Sequence, residues 1–258
     1  MSSLLVREQD GVITLTMNRP QVRNAIDDAM MSALDSQVSA LADRKDLVAV
    51  VLTGAGEESF CAGGDLRWMR SFDTPEKGQG MSRRMQDILH RLAALPVPVI
   101  GVLNGYAFGG GTEVALATDM RVLETHAFLC FKQVQVGVMT GWGGGGRLLH
   151  LVGYARALEL LTTCRRVHGA EARSMGLANV VVPRGEGLAE ALRICERLKR
   201  GAPGSIRASK ALLRGAHGKT IHEAADLENE LFGEVWASVD HLEALEAFDQ
   251  KRRPDFRK

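Results

Sequence analysis

The chain has 258 residues, and its 32 lysine and arginine residues nearly balance its 31 aspartate and glutamate residues, for a formal net charge of +1. This balance argues against a nucleic-acid-binding protein, because such proteins usually carry a basic excess. The length lies at the upper end of a single domain and is sufficient for a large hydrophobic core.

The cysteines and the apolar segments exclude two further classes. Cys61, Cys130, Cys164 and Cys195 are widely spaced and form no C-x-x-C or Cys/His ligand pattern, so we expect no metal site. The N-terminal residues lack a basic segment followed by a long apolar core, and no apolar run is long enough to span a membrane. We therefore expect a cytoplasmic protein without a membrane or nucleic-acid partner.

Predicted strands and helices alternate over most of the chain. Residues 11–18 alternate apolar and polar side chains and predict a strand, whereas residues 27–41 carry apolar side chains at helical spacing. Continuous apolar runs predict buried strands at 47–53 and 97–102. Shorter strands are predicted at 120–123, 127–131 and 180–182, and helices at 81–95, 114–118, 147–151 and 155–163. This alternation indicates the α/β class.

Two stretches depart from the alternation. Residues 71–82 are rich in glycine and polar residues, so we predict a mobile loop there. From residue 187 onward the patterns are helical only. We place a boundary near residue 200, which predicts an α/β core at 1–200 and a helical oligomerisation region at 201–258.

A glycine-rich turn at residues 104–113 stands between the strand at 97–102 and the helix that follows it. The first amides of a helix have no intrahelical partner and form an anion site, and Glu113 falls in that first turn. Taken alone, such a turn is more often a tight connection. A second glycine-rich turn at 60–66 follows another buried strand, and two amides that converge on one oxygen would form an oxyanion hole.

The sequence gives little support for a redox-cofactor site or for a serine-hydrolase site. Gly141, Gly143 and Gly146 match G-x-G-x-x-G, but the residues before them are a poor strand and no acidic residue follows at the required spacing, which argues against a redox cofactor. No G-x-S-x-G nucleophile elbow is present, so a serine hydrolase is not indicated.

Several segments, in order along the chain, resemble the crotonase superfamily of enoyl-CoA hydratases and isomerases. The matching segments are residues 18–25 (NRPQVRNA), 60–66 (FCAGGDL), 104–113 (NGYAFGGGTE), 143–148 (GGGGRL), 176–181 (GLANVV) and 248–252 (FDQKR). Together they cover nearly the whole chain.

The resemblance implies a crotonase-like α/β fold, a spiral of ββα turns with a C-terminal helical trimerisation region, often assembled as a dimer of trimers, that is, a hexamer. It implies an acyl-CoA thioester substrate of the kind handled in fatty acid metabolism, with no cofactor apart from the coenzyme A of the substrate and no metal.

The resemblance also assigns residues. The backbone amides of Gly64 and Gly110 would hold the thioester oxygen, and Glu113 would be the acid/base. Contacts to coenzyme A, mainly through the backbone, would come from Val22, Arg23, Ala62, Asp65 and Leu66, with Phe248 and Lys251 often reaching it across a subunit boundary. Without the resemblance, Arg23 and Lys251 would be interpreted as solvated surface charges.

Two positions depart from the family pattern. Gln133 stands where two-glutamate hydratases carry their second glutamate, and an amide cannot transfer a proton at neutral pH. Residues 140–144 (TGWGG) replace the usual P-G-A-G-G and resemble the ethylmalonyl-CoA decarboxylase branch, although Trp142 could equally be a core-filling aromatic residue.

These departures leave several functions open. The leading hypothesis is an acyl-CoA lyase of the enoyl-CoA hydratase type that uses Glu113. Loss of CO₂ from a methylmalonyl- or ethylmalonyl-CoA-type thioester is the alternative, since it needs an oxyanion hole but less acid–base machinery. An enoyl-CoA isomerase is the third hypothesis. Outside enzymes, the chain could be an acyl-CoA-binding protein of low activity.

Overall fold

The computed structural model describes residues 2–256, and the chain divides into two compact units, Met1–Leu192 and Arg193–Lys258. The division falls within one helix, Gly187–Leu198 (α8), ahead of the predicted boundary near residue 200. The first unit contains the β-sheets described below, and the second is helical.

Strands of the first unit form two sheets. The larger sheet has, in spatial order, β1 (Leu4–Gln9), β2 (Val12–Met17), β3 (Ala49–Gly54), β5 (Val99–Leu103), β7 (Met120–Glu124) and β10 (Val180–Val182). The smaller sheet has β4 (Ser59–Cys61), β6 (Tyr106–Phe108), β8 (Phe128–Cys130) and β9 (Val167–His168). Only the β1–β2 and β8–β9 pairs among these are antiparallel.

From β3 to β8, consecutive strands alternate between the two sheets, so each repeat places one strand in each sheet and then continues into a helix. The helices of the first unit are α1 (Asp28–Ala42), α2 (Leu66–Met69), α3 (Pro75–Ala94), α4 (Gly110–Leu116), α5 (Gly144–Val152), α6 (Tyr154–Thr163) and α7 (Gly169–Ser174). The pairs β3–β4, β5–β6 and β7–β8 follow this rule. The ββα repeat predicted for the fold is therefore present.

Burial explains why continuous apolar runs in the sequence predict the central strands β3 and β5. Every residue of β3 and of β5 is buried, as expected for parallel strands covered on both faces. Helix α1 begins at an N-cap, Asp27, whose side chain accepts a hydrogen bond from the N–H of Met30, and it buries one apolar stripe.

The loop predicted at residues 71–82 is wrong over most of its length, because α3 already begins at Pro75. Thr74 caps this helix by accepting a hydrogen bond from the N–H of Lys77, and proline at the first helical position needs no hydrogen-bond acceptor for its nitrogen. Gly78 and Gly80 lower helix propensity but do not end the helix, whose later turns are anchored by buried residues such as Met85.

The second unit contains α9 (Pro203–Gly215), α10 (Ile221–Trp236) and α11 (Val239–Asp249). Thr220 and Glu223 form a capping box at the start of α10. Exposed apolar side chains are frequent in this unit: Leu213, Ile221, Phe232, Trp236, Val239, Leu242, Leu245 and Phe248. Assembly into a homotrimer or a dimer of trimers stays a prediction.

Over residues 2–256, no helix combines the length and the apolar character that a membrane crossing requires. In the same part of the chain, no three histidine, cysteine, aspartate or glutamate side chains are grouped as metal ligands.

Candidate active site

The two glycine-rich segments include the neighbouring strands β4 and β6, and the turns that follow these strands contact each other. Strands β4 and β6 are parallel partners, so the residues after them emerge at the same edge of the small sheet. A Cβ atom on Gly63 would lie 2.8 Å from the backbone nitrogen of Gly110, and a Cβ on Gly111 would overlap the carbonyl of Cys61. Gly63 also has a φ of +89°, which side chains rarely tolerate. Only glycines allow this close approach.

The contact brings Gly64 and Gly110 into adjoining turns. Gly64 forms a parallel bridge with Ile26, in which the N–H groups of Ile26 and Asp65 donate and the N–H of Gly64 is not used. Gly110 is the first residue of α4, so its N–H has no acceptor within the helix. Both predicted oxyanion-hole amides are therefore left over by the local secondary structure.

Two buried asparagines fix the connection between β3 and β4, which leads to the first of these turns. Asn104 accepts hydrogen bonds from the N–H of Gly54 and the hydroxyl of Thr53, and its amide donates to the carbonyls of Gly54 and Gly56. Asn24 donates to the carbonyls of Ala55 and Ser59. Each side chain replaces ladder hydrogen bonds at the point where the strands end. Both asparagines belong to sequence segments that resemble the family, but the sequence does not show which backbone groups they bind.

The carboxylate of Glu113 accepts four hydrogen bonds. Its Oε2 accepts from the backbone N–H groups of Trp142 and Gly144, each at 2.8 Å. Its Oε1 accepts from the Gln133 side chain at 3.1 Å and from the N–H of Gly141 at 3.3 Å. Gly144 begins α5, so the carboxylate lies at the positive end of that helix. The glycine-rich segment at 141–144 thus binds this carboxylate through its backbone N–H groups, and we call it the cradle of Glu113.

Two opposing effects act on the pKa of Glu113. Its side chain is only 2 % exposed, and this burial raises the pKa because the charged form loses its hydration. The four donated hydrogen bonds lower the pKa, and burial outweighs them. A carboxyl with a raised pKa is suited to accept and return a proton near neutral pH.

Gln133 leaves one polar atom without a hydrogen bond. Its Nε2 donates to Glu113, while its Oε1 has no partner among the described residues, although the residue is only 7 % exposed. A buried acceptor without a donor is costly unless a ligand or water supplies one. Gln133 lines the same cavity as Glu113, but its Oε1 is itself covered by neighbouring atoms, so a bound molecule would reach it only after the side chain rotates.

A cavity of about 1020 Å³ joins these groups. Every site residue predicted in the first unit lines it: Val22, Arg23, Ala62, Gly64, Asp65, Leu66, Gly110, Glu113 and Gln133. The other two belong to the second unit. Phe248 lies on α11 with its side chain 81 % exposed, and Lys251 adopts a left-handed backbone with its N–H bonded to the carbonyl of Phe248.

The acidic side chain of Asp65 is already engaged. Arg19 bridges it to Asp27 through two 3.0 Å ion pairs, and Asp65 caps α2 by accepting from the N–H of Arg67. Burial opposes its ionisation, but the hydrogen bonds from Arg19 and Arg67 prevail and lower the pKa. Asp65 is therefore a fixed anion that shapes the loop. Arg19, which sequence reasoning treated only as part of a motif, is what holds it.

Sequence reasoning missed the apolar wall of the cavity. Met69, Phe72, Gly78 and Met81 line it from α2, from the segment after α2 and from the first turns of α3. Phe72, Gly78 and Met81 fall within the loop wrongly predicted at 71–82, and the helical periodicity from Pro75 onward was the signal that could have revealed Gly78 and Met81. Trp142, singled out for its unusual motif, lines the same wall.

The chain is similar to known proteins over nearly its whole length. Residues 7–258 match the family model described as enoyl-CoA hydratase/isomerase. The short-chain-enoyl-CoA hydratase of Clostridium acetobutylicum is 32 % identical over 253 residues, which cover 98 % of this chain and 97 % of that protein. The ethylmalonyl-CoA decarboxylase of Xenopus laevis is 33 % identical over 243 residues, which cover 93 % of this chain and 81 % of that protein.

Solved structures agree with these relatives. The crystal structure of an enoyl-CoA hydratase from Bacillus anthracis superposes with a TM-score of 0.94 at 31 % identity and covers 98 % of both chains. The crotonase-like fold is thus confirmed. With the family model spanning nearly all of the sequence, the chain is an enzyme that belongs to the enoyl-CoA hydratase/isomerase family.

Proposed function

We propose that this enzyme adds water to the double bond of an enoyl-CoA thioester, with Glu113 as its acid/base group. The observation that carries the proposal is the buried Glu113 carboxylate, held in the cavity that the two glycine turns also line. Coenzyme A enters as part of the substrate, and no other cofactor is required. The proposal includes a cytoplasmic enzyme that assembles as a homotrimer or a dimer of trimers.

The amides of Gly64 and Gly110 would stabilise the charge that develops on the thioester oxygen. Hydration passes through an enolate-like state, and donors positioned at its oxygen favour that state over the substrate. The start of α4 adds the positive end of a helix dipole. Two observations support this role. The secondary structure leaves the N–H groups of Gly64 and Gly110 unused, and the turns that carry them are in contact.

One carboxylate has to carry the proton in both directions. The oxygen of a water molecule adds to C3, the double-bond electrons move toward the thioester oxygen, and the proton of the water passes to Glu113. Glu113 then returns that proton to C2, which gives the 3-hydroxyacyl thioester. A rotation of the Gln133 side chain would expose its unpaired Oε1, which would then accept the other O–H of the water and orient its lone pair toward C3.

Decarboxylation is the second candidate. The amide of Gln133, the Trp142 motif and the similarity to the Xenopus laevis ethylmalonyl-CoA decarboxylase favour it. Breaking the bond between C2 and the carboxylate would release CO₂ and leave a thioester enolate at the same oxyanion hole, and a proton from solvent water would then add to C2. Against it, a substrate carboxylate bound in this cavity would be repelled by the carboxylate of Glu113.

The hydratase and the decarboxylase are distinguished by two rates, hydration of crotonyl-CoA and decarboxylation of ethylmalonyl-CoA. Both rates are measured for the wild type and for Gln133→Glu. The new carboxylate would lie beside Glu113, so the pair would share one proton and supply both an acid and a base. We expect hydration to rise by up to about 10², the lower end of an acid–base contribution. Gln135→Glu adds the same charge at an exposed position outside the cavity lining and is the matched control.

Each outcome decides between the candidates. Faster hydration in Gln133→Glu but not in Gln135→Glu supports the proposal. Wild-type CO₂ release that exceeds hydration, and that falls in Gln133→Glu, supports the decarboxylase. Absence of both activities in the folded wild type contradicts both.

A further inference from the structure

The indole ring of Trp142 covers the two glycines proposed to form the oxyanion hole. A Cβ atom on Gly110 would overlap this ring, at 2.6 Å from Cε3 and 2.7 Å from Cη2. A Cβ on Gly64 would lie 3.5 Å from Cζ2 of the same ring. The six-membered part of the indole therefore extends from one glycine to the other and is in van der Waals contact with both.

Trp142 is held through its ring on one side and through its backbone on the other. Its Nε1–H donates to the sulfur of Met81 at 3.3 Å, and the backbone N–H of Trp142 donates to Glu113. The side chain is 4 % exposed and still lines the cavity together with Met69 and Met81. A Cβ on Gly64 would also lie 2.5 Å from the sulfur of Met69. Trp142 and the two methionines thus fill the apolar space beside the glycine turns.

A thioester oxygen bound by Gly64 and Gly110 would bring its own carbonyl carbon, C2 and C3 close to the same glycines. The chain beyond C3 would then meet the indole ring. Hydrophobic walls discriminate by size, and one methylene too many typically costs about tenfold or more in kcat/KM. A large side chain at this position is placed to limit acyl length.

We propose that Trp142, with its ring fixed by Met81, is the residue that restricts this enzyme to short acyl chains. The inference rests on the proposed function, because it uses the oxyanion hole to locate the acyl group. It assigns the specificity to the side chain of Trp142, whereas the backbone N–H of the same residue serves Glu113. Changing the side chain therefore alters the wall and leaves that hydrogen bond in place.

The test measures kcat/KM for 2-enoyl-CoA thioesters of four, six, eight and ten carbons in the wild type, Trp142→Phe and Trp142→Ala. We expect the wild type to prefer the shortest chain. In Trp142→Ala the ratio of the longer to the shortest substrate should rise by at least about tenfold, since each methylene that enters the vacated space contributes roughly fourfold. Trp142→Phe should fall between the two.

Loss of a buried tryptophan also destabilises the protein, so Met30→Ala is the control. Met30 is fully buried on α1 and does not line the cavity, and its truncation should lower stability without changing the chain-length ratio. Should Trp142→Ala fail to fold, the smaller ring of Trp142→Phe decides the question.

Two failures are distinguishable. An unchanged chain-length ratio in variants that still hydrate crotonyl-CoA would overturn the role of Trp142 and leave the proposed function intact. A wild type that hydrates no enoyl-CoA of any length would instead overturn the proposed function.

Discussion

Replacing Glu113 by glutamine removes the proposed acid/base group with little change in shape. The amide oxygen can keep the N–H donors of Trp142 and Gly144, while the new NH₂ group faces Gln133. Gln133 can then rotate its amide, because its unpaired Oε1 becomes the acceptor for that NH₂. Only the long 3.3 Å hydrogen bond from Gly141 is lost outright. We therefore expect Glu113→Gln to fold and to bind acyl-CoA.

The expected loss of activity follows from the carboxylates around the cavity. General acid–base catalysis typically contributes about 10²–10⁴-fold, or roughly 3–5 kcal/mol of transition-state stabilisation. Among the described residues that line the cavity, Asp65 is the other carboxylate, and its ion pair with Arg19 and its lowered pKa keep it from replacing Glu113. We therefore expect kcat of Glu113→Gln to fall by about 10²–10⁴-fold, with KM changed little.

The assay is hydration of crotonyl-CoA as a function of pH. Burial raises the pKa of Glu113 above its ordinary value of 4.5, and the ionised form must accept the proton of water. Wild-type kcat/KM should therefore rise with pH through an acid limb that lies above 4.5. The residual rate of Glu113→Gln should lack this limb.

Stability gives an independent readout with a defined sign. Because the folded pKa exceeds the unfolded one, the native state binds the proton more tightly, and wild-type stability falls as pH rises between the two pKa values. The free energy of unfolding of Glu113→Gln relative to wild type should therefore increase from pH 4.5 through the raised pKa. Urea unfolding at a series of pH values measures this difference.

A matched control is available in Glu124→Gln. Glu124 is also buried, and it accepts hydrogen bonds from the N–H groups of Gly185 and Gly187, but it does not line the cavity. We expect this variant to lose stability and to keep its kcat. A folded Glu113→Gln that retains kcat within tenfold of wild type would refute the assignment of Glu113 as the acid/base group.

Two further predictions test the cradle and the assembly. In Gly144→Ala the new Cβ would overlap Glu113 and displace its carboxylate, so kcat should fall by about tenfold or more. Gly146→Ala, with open space at its Cβ, should keep wild-type rates, and equal rates in both variants would argue against the cradle. The exposed Phe232 and Trp236 of the second unit predict an oligomer, so sedimentation should show a trimer or hexamer that Trp236→Asp dissociates. A fully active wild-type monomer would contradict this prediction.

The sequence by itself determined the repeating architecture and the position of one catalytic candidate. Continuous apolar runs marked β3 and β5 because parallel strands buried on both faces carry no polar alternation. Local rules also placed Glu113 in the first turn of a helix after a glycine-rich turn, and the structure has it there. These features depend on neighbours in the chain, so periodicity and turn chemistry suffice to predict them.

Local patterns failed where elements are short or stabilised from elsewhere. Strands β4 and β6 have three residues each, too few for a period to show. The glycines of α3 suggested a loop, whereas the cap at Thr74 and the buried residues of the later turns maintain a helix. Packing outweighed propensity in that segment.

Only the tertiary structure decided how the site is assembled. The sheet order brings the turns after β4 and β6 into contact, and the segment that leads into α5 supplies three of the four donors to Glu113, from Gly141, Trp142 and Gly144. The free oxygen of Gln133 and the indole wall over Gly110 depend on the same long-range packing. A carboxylate's environment is set by groups that are close in space but distant in the chain, and for that reason the sequence could name Glu113 but not its surroundings.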